Sequence, residues 1–575
     1  MPYRAPLKEY QFLLDHVVDY AQIAGTDRFC EASSDVVEAV LSEAGRLCEE
    51  VLDPLQRNGD TDPARLENGI VRTSHGFAEG YRAIANGGWV STSASPEYGG
   101  MGLPLTVTTA VNEMMAGACL ALQLNPLMTQ GQIEALEHHA SGQIKALYLP
   151  KLISGEWCGT MNLTEPQAGS DVGALRSQAK DNGDGTYAVT GQKIYISWGD
   201  NDFSENVCHL VLARLPDGPS GTKGTKGISL FLVPKLIPDA AGQPGVANSL
   251  KVISLEHKMG LHGSPTAVMQ YEGARGWLIG KPHDGMRAMF TMMNNARLGV
   301  GGQGIGAAEG AYQKALSYAK ERRQGRSMLE NGSGTIVDHA DVRRMLLTMR
   351  SDIFAARAIA LANAVALDMA GASDDPAWAA RAALLTPISK AFGTDTGVNV
   401  ADLGVQVHGG MGFIEETGAA QFSRDVRVTA IYEGTNGIQS MDLVARKMMD
   451  GGRAAYALLD EIAAHAALAN AQLPDLAEPL ATACEALRSS VDWLVEQSDL
   501  NDRFAGSVSF LKAFARVLGG HYHLKAALVT PDQGSNCKLA RFYMNALLGE
   551  YIGLLQQARQ GAADLYALSF EELTA

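Results

Sequence analysis

Glu433 is the residue whose surroundings most clearly suggest chemistry. It lies in the stretch Arg424–Gln439, where one acid flanked by Tyr432 and Gly434 interrupts a largely apolar run. Desolvation disfavours the charged form of a carboxyl group, so a carboxylate in this setting has a raised pKa that suits proton abstraction. A glutamate that caps a helix or forms a salt bridge at its start is the other interpretation, and these residues alone leave both open.

A glycine-rich stretch, Gln406–Glu416, has residues that suit ligand binding. Gly409, Gly410 and Gly412 have no side chains, so a ligand could approach the backbone closely. A plain loop between helices would use the same residues. The stretch by itself does not separate the two interpretations.

A third stretch, Met161–Asp171, combines hydroxyl groups, a proline turn and a Gly-Ser step. Backbone N–H groups and hydroxyls at such a turn can bind a flavin ring or phosphates. Alternation along the next strand places Tyr195 and Ser197 on one face. An aromatic ring beside a hydroxyl group suits a flat ligand with polar edges.

The sequence Gly299–Gly304 fits the G-x-G-x-x-G pattern of dinucleotide-binding proteins. That pattern requires a preceding β-strand, and Met286–Arg297 does not read as one. Gly302, Gly306 and Gly310 instead recur every four residues, which allows two helices to pack closely. We therefore predict helix packing here rather than nicotinamide binding.

Composition and charge exclude several classes of function. The formal net charge of the 575 residues is −16, which argues against non-specific binding to nucleic acid or to anionic membranes. The N-terminal residues have mixed charge without the apolar segment of a signal peptide, and no run of about 18 apolar residues occurs. We predict a folded enzyme or scaffold protein of the cytoplasm, with no nucleic-acid or membrane partner.

The cysteine and histidine residues indicate neither disulfides nor a metal centre. Seven cysteines are scattered singly, without any C-x-x-C pair, which predicts reduced and mostly buried thiols. His138 and His139 have no partner at a metal-ligand spacing that repeats elsewhere. We predict that the protein binds no metal.

The periodicity and residue types along the sequence predict an α+β multidomain protein. Residues 1–155 have helical periodicity and predict an N-terminal helical domain. Residues 156–275 contain short β-rich runs separated by Gly, Pro and Asp, with a hairpin turn at Asn182–Gly185, and predict a middle β domain. Residues 276–450 predict a second helical domain, and residues 451–575 an additional one with a break at Leu473–Asp475.

Taken together, these stretches resemble the acyl-CoA dehydrogenase family over roughly residues 35–450. The family has a helical domain, a β-barrel domain and a helical bundle, in agreement with the organisation above. Motifs that match the family pattern occur in its order at Pro96–Gly100, Thr164–Pro166, Ala168–Asp171, Gly191–Lys193, Arg297, Arg322, Gln406–Gly412 and Tyr432–Thr435.

The resemblance implies a role for each matching residue. Glu433 would be the catalytic base, because some relatives carry the base near position 295 but Asn295 and Ala296 have no carboxylate. The implied substrate contacts are Ser170, Asn294, Arg297, Tyr432 and Gly434. The implied contacts with FAD are Met161, Leu163, Thr164, Gly169, Ser170, Tyr195, Ile196, Ser197, Arg322, Gln324, Gln406, Gly409, Gly410, Thr435 and Gly437.

The implied reaction is the α,β-desaturation of an acyl-CoA thioester to a trans-2-enoyl-CoA. Glu433 would take the α-proton and FAD the β-hydride, with electrons passing on to an electron-transferring flavoprotein. Homodimers or homotetramers are typical of the family. An acyl-CoA oxidase would share nearly every motif, and it stays open as an alternative.

The ends of the chain favour one branch of the family. The N-terminal extension, Asn436–Gln439 and the added C-terminal domain are similar to the longer bacterial branch that includes 3-methylmercaptopropionyl-CoA dehydrogenases of dimethylsulfoniopropionate degradation. We take the conversion of 3-methylmercaptopropionyl-CoA to methylthioacryloyl-CoA as the hypothesis, with medium- or long-chain fatty acyl-CoA as the alternative.

Three positions depart from the family pattern. Tyr195 stands where tryptophan is common, Ser197 replaces a threonine, and Gln324 stands where a threonine often lies beside the FAD phosphates. We expect FAD binding to survive these exchanges.

Overall fold

The computed structural model describes residues 2–216, 224–529 and 534–574. By packing, the chain divides into two units. One contains Pro2–Ala5 and Ser42–Ala296, and the other contains Pro6–Leu41 and the residues from Arg297 onward. The division falls within two helices, Ser34–Leu47 and Gly285–Glu321, and in the N-terminal segment between Ala5 and Pro6.

Most strands lie between two helical regions, in the order predicted from the sequence, and a short strand pair within residues 65–72 interrupts the N-terminal helices. The α-helices are α1 (Leu7–His16), α2 (Ala21–Ala24), α3 (Ser34–Leu47), α4 (Asp53–Thr61), α5 (Phe77–Asn86), α6 (Leu105–His139), α7 (Gly142–Ile153), α8 (Gly285–Glu321), α9 (Ala340–Ala372), α10 (Pro376–His408), α11 (Ala419–Val426), α12 (Asn436–Asp442), α13 (Arg453–Ala469), α14 (Pro474–Glu496), α15 (Leu500–Ala505), α16 (Ser507–Leu528), α17 (Ser535–Phe542) and α18 (Tyr551–Ala558). The strands are β1 (Arg65–Glu67), β2 (Ile70–Arg72), β3 (Trp157–Asn162), β4 (Gln178–Asp181), β5 (Tyr187–Ser197), β6 (Asn206–Arg214), β7 (Ile228–Pro234), β8 (Leu236–Pro238), β9 (Pro244–Ala247), β10 (Leu250–Leu255) and β11 (Thr266–Ile279).

The middle strands close into a barrel, as the family resemblance implies. β11 pairs with β5 and β7, β6 pairs with β7 and β4, and β4 pairs with β5, so the hydrogen-bonded ring is complete. β10 extends the ring beside β11, and β3 extends it beside β6. Alternate side chains from β5, β6, β7 and β11 fill the interior, and their burial stabilises the barrel.

Local sequence explains how the barrel begins. The turn predicted at Asn182–Gly185 joins antiparallel β4 and β5, with Gly183 at φ 79° and Gly185 at φ 84°. In the same unit, Tyr148 of α7 packs against Trp157 of β3 with ring centroids 5.5 Å apart. Aromatic burial of this kind attaches the helices of this unit to the outside of the sheet.

The second unit is a bundle around α8, α9 and α10. Two buried ion pairs tie its helices together: Arg357 of α9 pairs with Glu309 of α8 at 2.8 Å, and Arg516 of α16 pairs with Asp352 of α9. The second pair joins the C-terminal helices to the bundle, so the segment predicted as an added domain packs in the same unit as residues 297–450. The break predicted at Leu473–Asp475 separates α13 from α14.

Two helices, α6 and α9, are long and apolar enough to span a membrane by length and composition. In the most apolar 18-residue window of each helix, 94% of the residues of α6 and 89% of those of α9 are buried inside the protein, which is the pattern of core helices. All seven cysteines are free thiols, and only Cys30 is exposed. The prediction of reduced, mostly buried thiols is confirmed.

Candidate active site

Glu433 lies in a short loop that precedes α12, and its backbone is unusual. Its φ is 56° and that of Gly434 is 82°, so two successive residues adopt the left-handed conformation. For a residue with a side chain this conformation costs energy and persists only when the surroundings enforce it. The loop therefore holds Glu433 in a conformation that it would not adopt by itself.

Three contacts enforce this conformation. Gln439, which is fully buried, donates hydrogen bonds to the carbonyl oxygens of Glu433 (3.2 Å) and Gly434 (3.3 Å). The Thr435 hydroxyl caps α12 by accepting from the Ile438 N–H at 3.2 Å. On the other side, the Tyr432 hydroxyl donates to the side-chain oxygen of Gln303 on α8.

The carboxyl group of Glu433 is half-buried, and its pKa is raised to about 7. Burial is the main cause, and the positive charges of Arg297 and Lys390 partly oppose it. Among the described residues, none forms a direct ion pair with this carboxylate. Near neutral pH the group therefore exists in both protonation states, as a general base requires.

Two buried cations lie near Glu433, and each also interacts with a second acid. Burial lowers the pKa of Arg297, and the charges of Asp442 and Glu433 raise it. Burial likewise lowers the pKa of Lys390, to about 8, against the opposing charges of Glu433 and Asp395. Glu433 therefore lies near two cations that also interact with other acids, and it is not ion-paired with either of them.

The sequence reasoning missed four residues that shape this site: Gln303, Lys390, Asn436 and Gln439. The Lys390 ammonium donates to the side-chain oxygen of Asn436 at 2.9 Å. A lone lysine within the apolar stretch Leu384–Phe392 of a helix was the one signal that could have found it, since lysine is almost never fully buried without a partner.

The residues predicted to hold the FAD diphosphate come together at one end of α8. The ring of Tyr318 stacks on His408 with centroids 4.4 Å apart, which brings the turn before Arg322 next to Gly409 and Gly410. A Cβ added to either glycine would meet no atom within 4 Å. Arg322 is exposed, and no acid among the described residues pairs with it. An available cation beside open backbone fits a diphosphate group.

Gln406 and Gln324 are also exposed in this region, and the Gln324 carbonyl accepts a hydrogen bond from His339 at 2.7 Å. Thr435 and Gly437 line an open cavity of about 370 Å³ beside the loop that contains Glu433, together with Asn436 and Arg427. Asp395 and the apolar residues Val398, Ala430 and Ile431 complete the lining, which is therefore mixed in charge and polarity.

The residues predicted to meet the flavin ring lie side by side on the barrel. The Ile194 N–H donates to the Thr164 carbonyl, and Lys193 donates to the Leu163 carbonyl, both at 3.0 Å. These bonds align the end of β3, including Met161, with the end of β5. Gly169 and Ser170 follow in an exposed turn, and a Cβ added to Gly169 would meet no atom within 4 Å.

Tyr195 is an aromatic side chain that the fold presents to the outside. It is 61% exposed and has a φ of 60°, while Trp198 three residues later has a φ of 53° and is buried. Ser197 is half-buried between them. The Ile196 side chain is buried in the barrel core, which leaves only its backbone for a ligand contact. An exposed aromatic side chain in a strained backbone conformation, next to accessible backbone groups, suits contact with a flat ring of a ligand.

Asn294 is exposed on α8, whereas Arg297 one turn later is buried. The Arg297 Nε atom has no hydrogen-bond partner among the described residues. A buried donor without a partner is costly, so this guanidinium is poised to bind a further group. This fits the predicted contact with substrate.

The glycines of Gly299–Gly304 lie inside α8, so no strand precedes them. A Cβ on Gly304 would come within 2.4 Å of the Gly393 carbonyl oxygen on α10, and one on Gly301 within 3.0 Å of the Ser389 carbonyl oxygen. Close packing of α8 on α10 is thus observed at Gly301 and Gly304, and for Gly302, Gly306 and Gly310 it stays a prediction.

One cluster among the described residues has metal-ligand chemistry: Glu461, His465 and His521, whose donor atoms lie within 4.8 Å of one another. Arg381 donates to both carboxylate oxygens of Glu461, at 2.6 and 3.2 Å. A carboxylate already neutralised by a guanidinium is a weak ligand for a cation. We assign no metal to this cluster, and the absence of a metal stays a prediction.

Comparison with known families places four matches along the chain in order. The N-terminal domain of acyl-CoA dehydrogenases matches residues 35–156, the middle domain residues 160–274 and the C-terminal domain residues 283–449. A further domain, described as acetyl-CoA dehydrogenase C-terminal like, matches residues 458–569.

Individual relatives agree with these matches. The chain is 46% identical to 3-methylmercaptopropionyl-CoA dehydrogenase of Ruegeria pomeroyi, over 89% of this chain and 88% of that protein. It is 33% identical to a butyryl-CoA dehydrogenase of Syntrophomonas wolfei, over 77% of this chain and 75% of that protein. The fold is similar to that of Caenorhabditis elegans ACDH-11 in complex with C11-CoA, with a TM-score of 0.80, 20% identity and coverage of 94% and 91%.

Proposed function

We propose that this chain, which belongs to the acyl-CoA dehydrogenase family, uses Glu433 to remove the α-proton of a short acyl-CoA thioester. Membership of the family makes the protein an FAD-dependent oxidoreductase. The observation that carries the assignment of the base is the half-buried Glu433 carboxyl, held in a left-handed loop with a pKa of about 7.

The substrate we propose is 3-methylmercaptopropionyl-CoA, with methylthioacryloyl-CoA as the product. One observation supports it: the 46% identity to the Ruegeria pomeroyi enzyme over 89% of this chain. Relatives that carry the name butyryl-CoA dehydrogenase are less similar, at 33% identity. This choice of substrate places the protein in dimethylsulfoniopropionate degradation.

The residues of this chain have the following roles in the proposed reaction. The ionised Glu433 carboxylate takes the proton from the α-carbon, and its backbone N–H donates to the thioester carbonyl, which stabilises the negative charge that develops there. Arg297 orders the loop and the CoA side of the site, aided by Asn294 and Ser170. Tyr432 and Gly434 flank the acyl group and fix the direction of the carboxylate.

FAD, when bound, supplies the acceptor for the hydride that leaves the β-carbon. The donor groups described above fit it: Arg322, Gln324, Gln406, Gly409 and Gly410 for the diphosphate and adenosine, with Thr435 and Gly437 beside the loop. On the barrel, Met161, Leu163, Thr164, Gly169, Ser170, Tyr195, Ile196 and Ser197 are the proposed contacts of the ring. Their part is to orient the ring and exclude water.

The proposed electron acceptor is an electron-transferring flavoprotein, and the proposed location is the cytoplasm. We also propose a homodimer or homotetramer. The exposed apolar side chains that follow the glycines support this assembly, since Phe413 is 87% exposed and Met411 and Ile414 lie beside it. A second copy would cover them.

A panel of acyl-CoA thioesters tests the substrate. Purified yellow protein is assayed with an artificial electron acceptor and with 3-methylmercaptopropionyl-, butyryl-, octanoyl- and palmitoyl-CoA. The proposal predicts the highest kcat/KM for the sulfur-containing substrate. Higher values for octanoyl- or palmitoyl-CoA would refute the substrate while leaving the reaction intact, and rapid turnover with dioxygen alone would indicate an oxidase.

A further inference from the structure

We propose that Lys390 is a positioning residue of the active site, which holds the catalytic loop through Asn436 and keeps Glu433 ionisable by its charge. The inference rests on the proposed function of Glu433. It assigns a role to a residue outside the motifs that define the reaction.

The first support is the set of hydrogen bonds between α10 and the side chain of Asn436. The Asn436 side-chain oxygen accepts from Lys390 at 2.9 Å, while its side-chain nitrogen donates to the Asp395 carboxylate at 2.7 Å. Thr394 and the Ala391 carbonyl accept from the same nitrogen at 3.0 and 3.3 Å. The oxygen and the nitrogen of the Asn436 side-chain amide are thus both held by residues on two neighbouring turns of α10. Since Asn436 is three residues after Glu433 and begins α12, these hydrogen bonds anchor one end of the loop that contains Glu433.

The second support is the burial of Lys390. Its side chain has no exposed surface, although removing an ammonium group from water is costly. Donating one hydrogen bond to Asn436 does not require a charge, because a neutral amide at this position could also donate. The charge of Lys390 therefore acts in another way, through its electrostatic interaction with the carboxyl groups of Glu433 and Asp395.

The other charged groups around the loop define what Lys390 adds. Arg297 of α8 is the second cation near Glu433, and it is shared with Asp442 of α12. Asp395 is shared between Lys390, Arg427 and Lys512 of α16, and Arg446 lies near Arg297. Lys390 is therefore one of two cations that favour the ionised Glu433, and no other described cation duplicates its contact with Asn436.

The sign of the effect follows from this arrangement. Without the Lys390 charge, desolvation of Glu433 is opposed by Arg297 alone, so the carboxyl stays protonated to higher pH. Less of the base is then ionised at neutral pH, and turnover falls there but recovers in alkaline solution. Removing the charge of Asp395 acts in the same direction but more weakly, because Asp395 raises the pKa of Lys390 and so helps to keep that ammonium charged.

The experiment compares four variants as purified FAD-bound enzyme. Lys390→Gln loses the charge but keeps a donor for Asn436, and Lys390→Arg keeps the charge. Asn436→Ala breaks the anchor without touching the charge, and Asp395→Asn keeps an acceptor for Asn436. The acidic limb of the kcat profile is measured from pH 5.5 to 9.5, with retained flavin absorbance and the unfolding midpoint as checks of folding.

The expected results differ in kind among the variants. Lys390→Gln moves the limb up by about one pH unit, equal to a tenfold change in the ionisation constant, with recovery at high pH. Lys390→Arg restores the wild-type limb, and Asp395→Asn moves it up by less than Lys390→Gln does. Asn436→Ala lowers kcat across the whole range without moving the limb. The carbonyl stretch of the protonated Glu433, identified by its absence in Glu433→Gln, should shift its titration in parallel in an infrared measurement.

An unmoved limb and an unmoved infrared titration in both Lys390→Gln and Asp395→Asn would overturn the inference. If Lys390→Gln fails to fold, Asp395→Asn and the infrared titration still decide. Failure of the proposed function looks different, because the wild type would then lack acyl-CoA turnover or Glu433→Gln would retain it.

Discussion

Two glutamates of this protein, the half-buried Glu433 and the buried Glu165, have opposite electrostatics. Glu165 lies 2.8 Å from the Lys193 ammonium and accepts hydrogen bonds from the backbone of Arg176 and Ser177 at 2.7 and 3.0 Å. Burial would raise its pKa, but these contacts lower it to about 2. Glu433 has nearby cations without a direct ion pair, and its pKa rises to about 7.

The difference shows how one residue type serves structure in one place and chemistry in another. A carboxylate that is paired and fully hydrogen-bonded is fixed in its charged form, so it can brace the strands that present Thr164 and Tyr195 but cannot exchange a proton near neutral pH. A carboxylate that is desolvated and left without a direct partner can do so. Contact geometry, more than burial, separates the two.

The largest expected effect comes from removing the reactive carboxylate. Glu433→Gln should lower kcat by about 10²- to 10⁴-fold, the usual contribution of a general base, while the protein stays folded and yellow. Steady-state turnover with an artificial acceptor measures it. Glu478→Gln, at an exposed position of α14, is the matched control and should behave like the wild type. Equal losses in both variants would contradict the comparison.

The structural glutamate should instead show its effect in stability. Lys193→Met leaves Glu165 as an unpaired buried charge and should lower the free energy of unfolding by about 3–5 kcal/mol. Urea unfolding measures this change. Lys251→Met breaks an exposed ion pair with Glu272 of similar length, 2.9 Å, and should cost less than about 1 kcal/mol. A loss no greater for Lys193→Met than for Lys251→Met would remove the structural role.

The two glutamates should also differ in how pH affects stability. Raising the pKa of Glu433 above its ordinary value of 4.5 gives a contribution that is full below that value and lost as pH rises through about 7. The contribution of Glu165, whose pKa is lowered, is present above 4.5 and lost only as pH falls through about 2.

As the pH rises from 5 to 8, the wild type should therefore lose stability relative to Glu433→Gln, measured as the free energy of unfolding. The Glu165 carboxyl makes no such contribution in this range, because above pH 5 it is ionised in both the folded and the unfolded protein. Denaturant titrations at pH 5 and pH 8 measure the difference for Glu433→Gln, and a constant value would mean that its pKa is not raised.

The smallest expected effect concerns how the loop is held. Tyr432→Phe removes the hydrogen bond to Gln303 but leaves the aromatic ring, so we expect a cost of about 1 kcal/mol and a fall in kcat below tenfold. The acidic limb of the profile should not move, because no charge changes. Steady-state profiles measure both quantities, and a displaced limb would show that Tyr432 contributes to the electrostatics as well.

Sequence alone predicted much of the fold and the centre of the site, for physical reasons visible in particular residues. The hairpin at Gly183 and Gly185 is encoded locally, because the turn needs positive φ. Spacing and context rejected the dinucleotide pattern at Gly299–Gly304, whose glycines meet α10. Glu433 stands out because an acid in an apolar run is rare.

What sequence could not supply is long-range contact. Lys390 and Asn436 are 46 residues apart and Gln303 and Tyr432 are 129 apart, so no local pattern joins them. Nor did periodicity show that the C-terminal helices share a packing unit with the bundle, since this depends on the pairing of Arg516 with Asp352. Such pairs are fixed only when distant helices pack.

The most direct test of the central role of Glu433 is anaerobic single-turnover reduction of the bound flavin by 3-methylmercaptopropionyl-CoA, followed by absorbance from pH 5.5 to 9.5. The wild type should be reduced at a rate that rises with pH through about 7, more slowly with substrate deuterated at the α-carbon, and Glu433→Gln should not be reduced on that time scale. Reduction of Glu433→Gln at the wild-type rate, with the same isotope effect, would contradict the account.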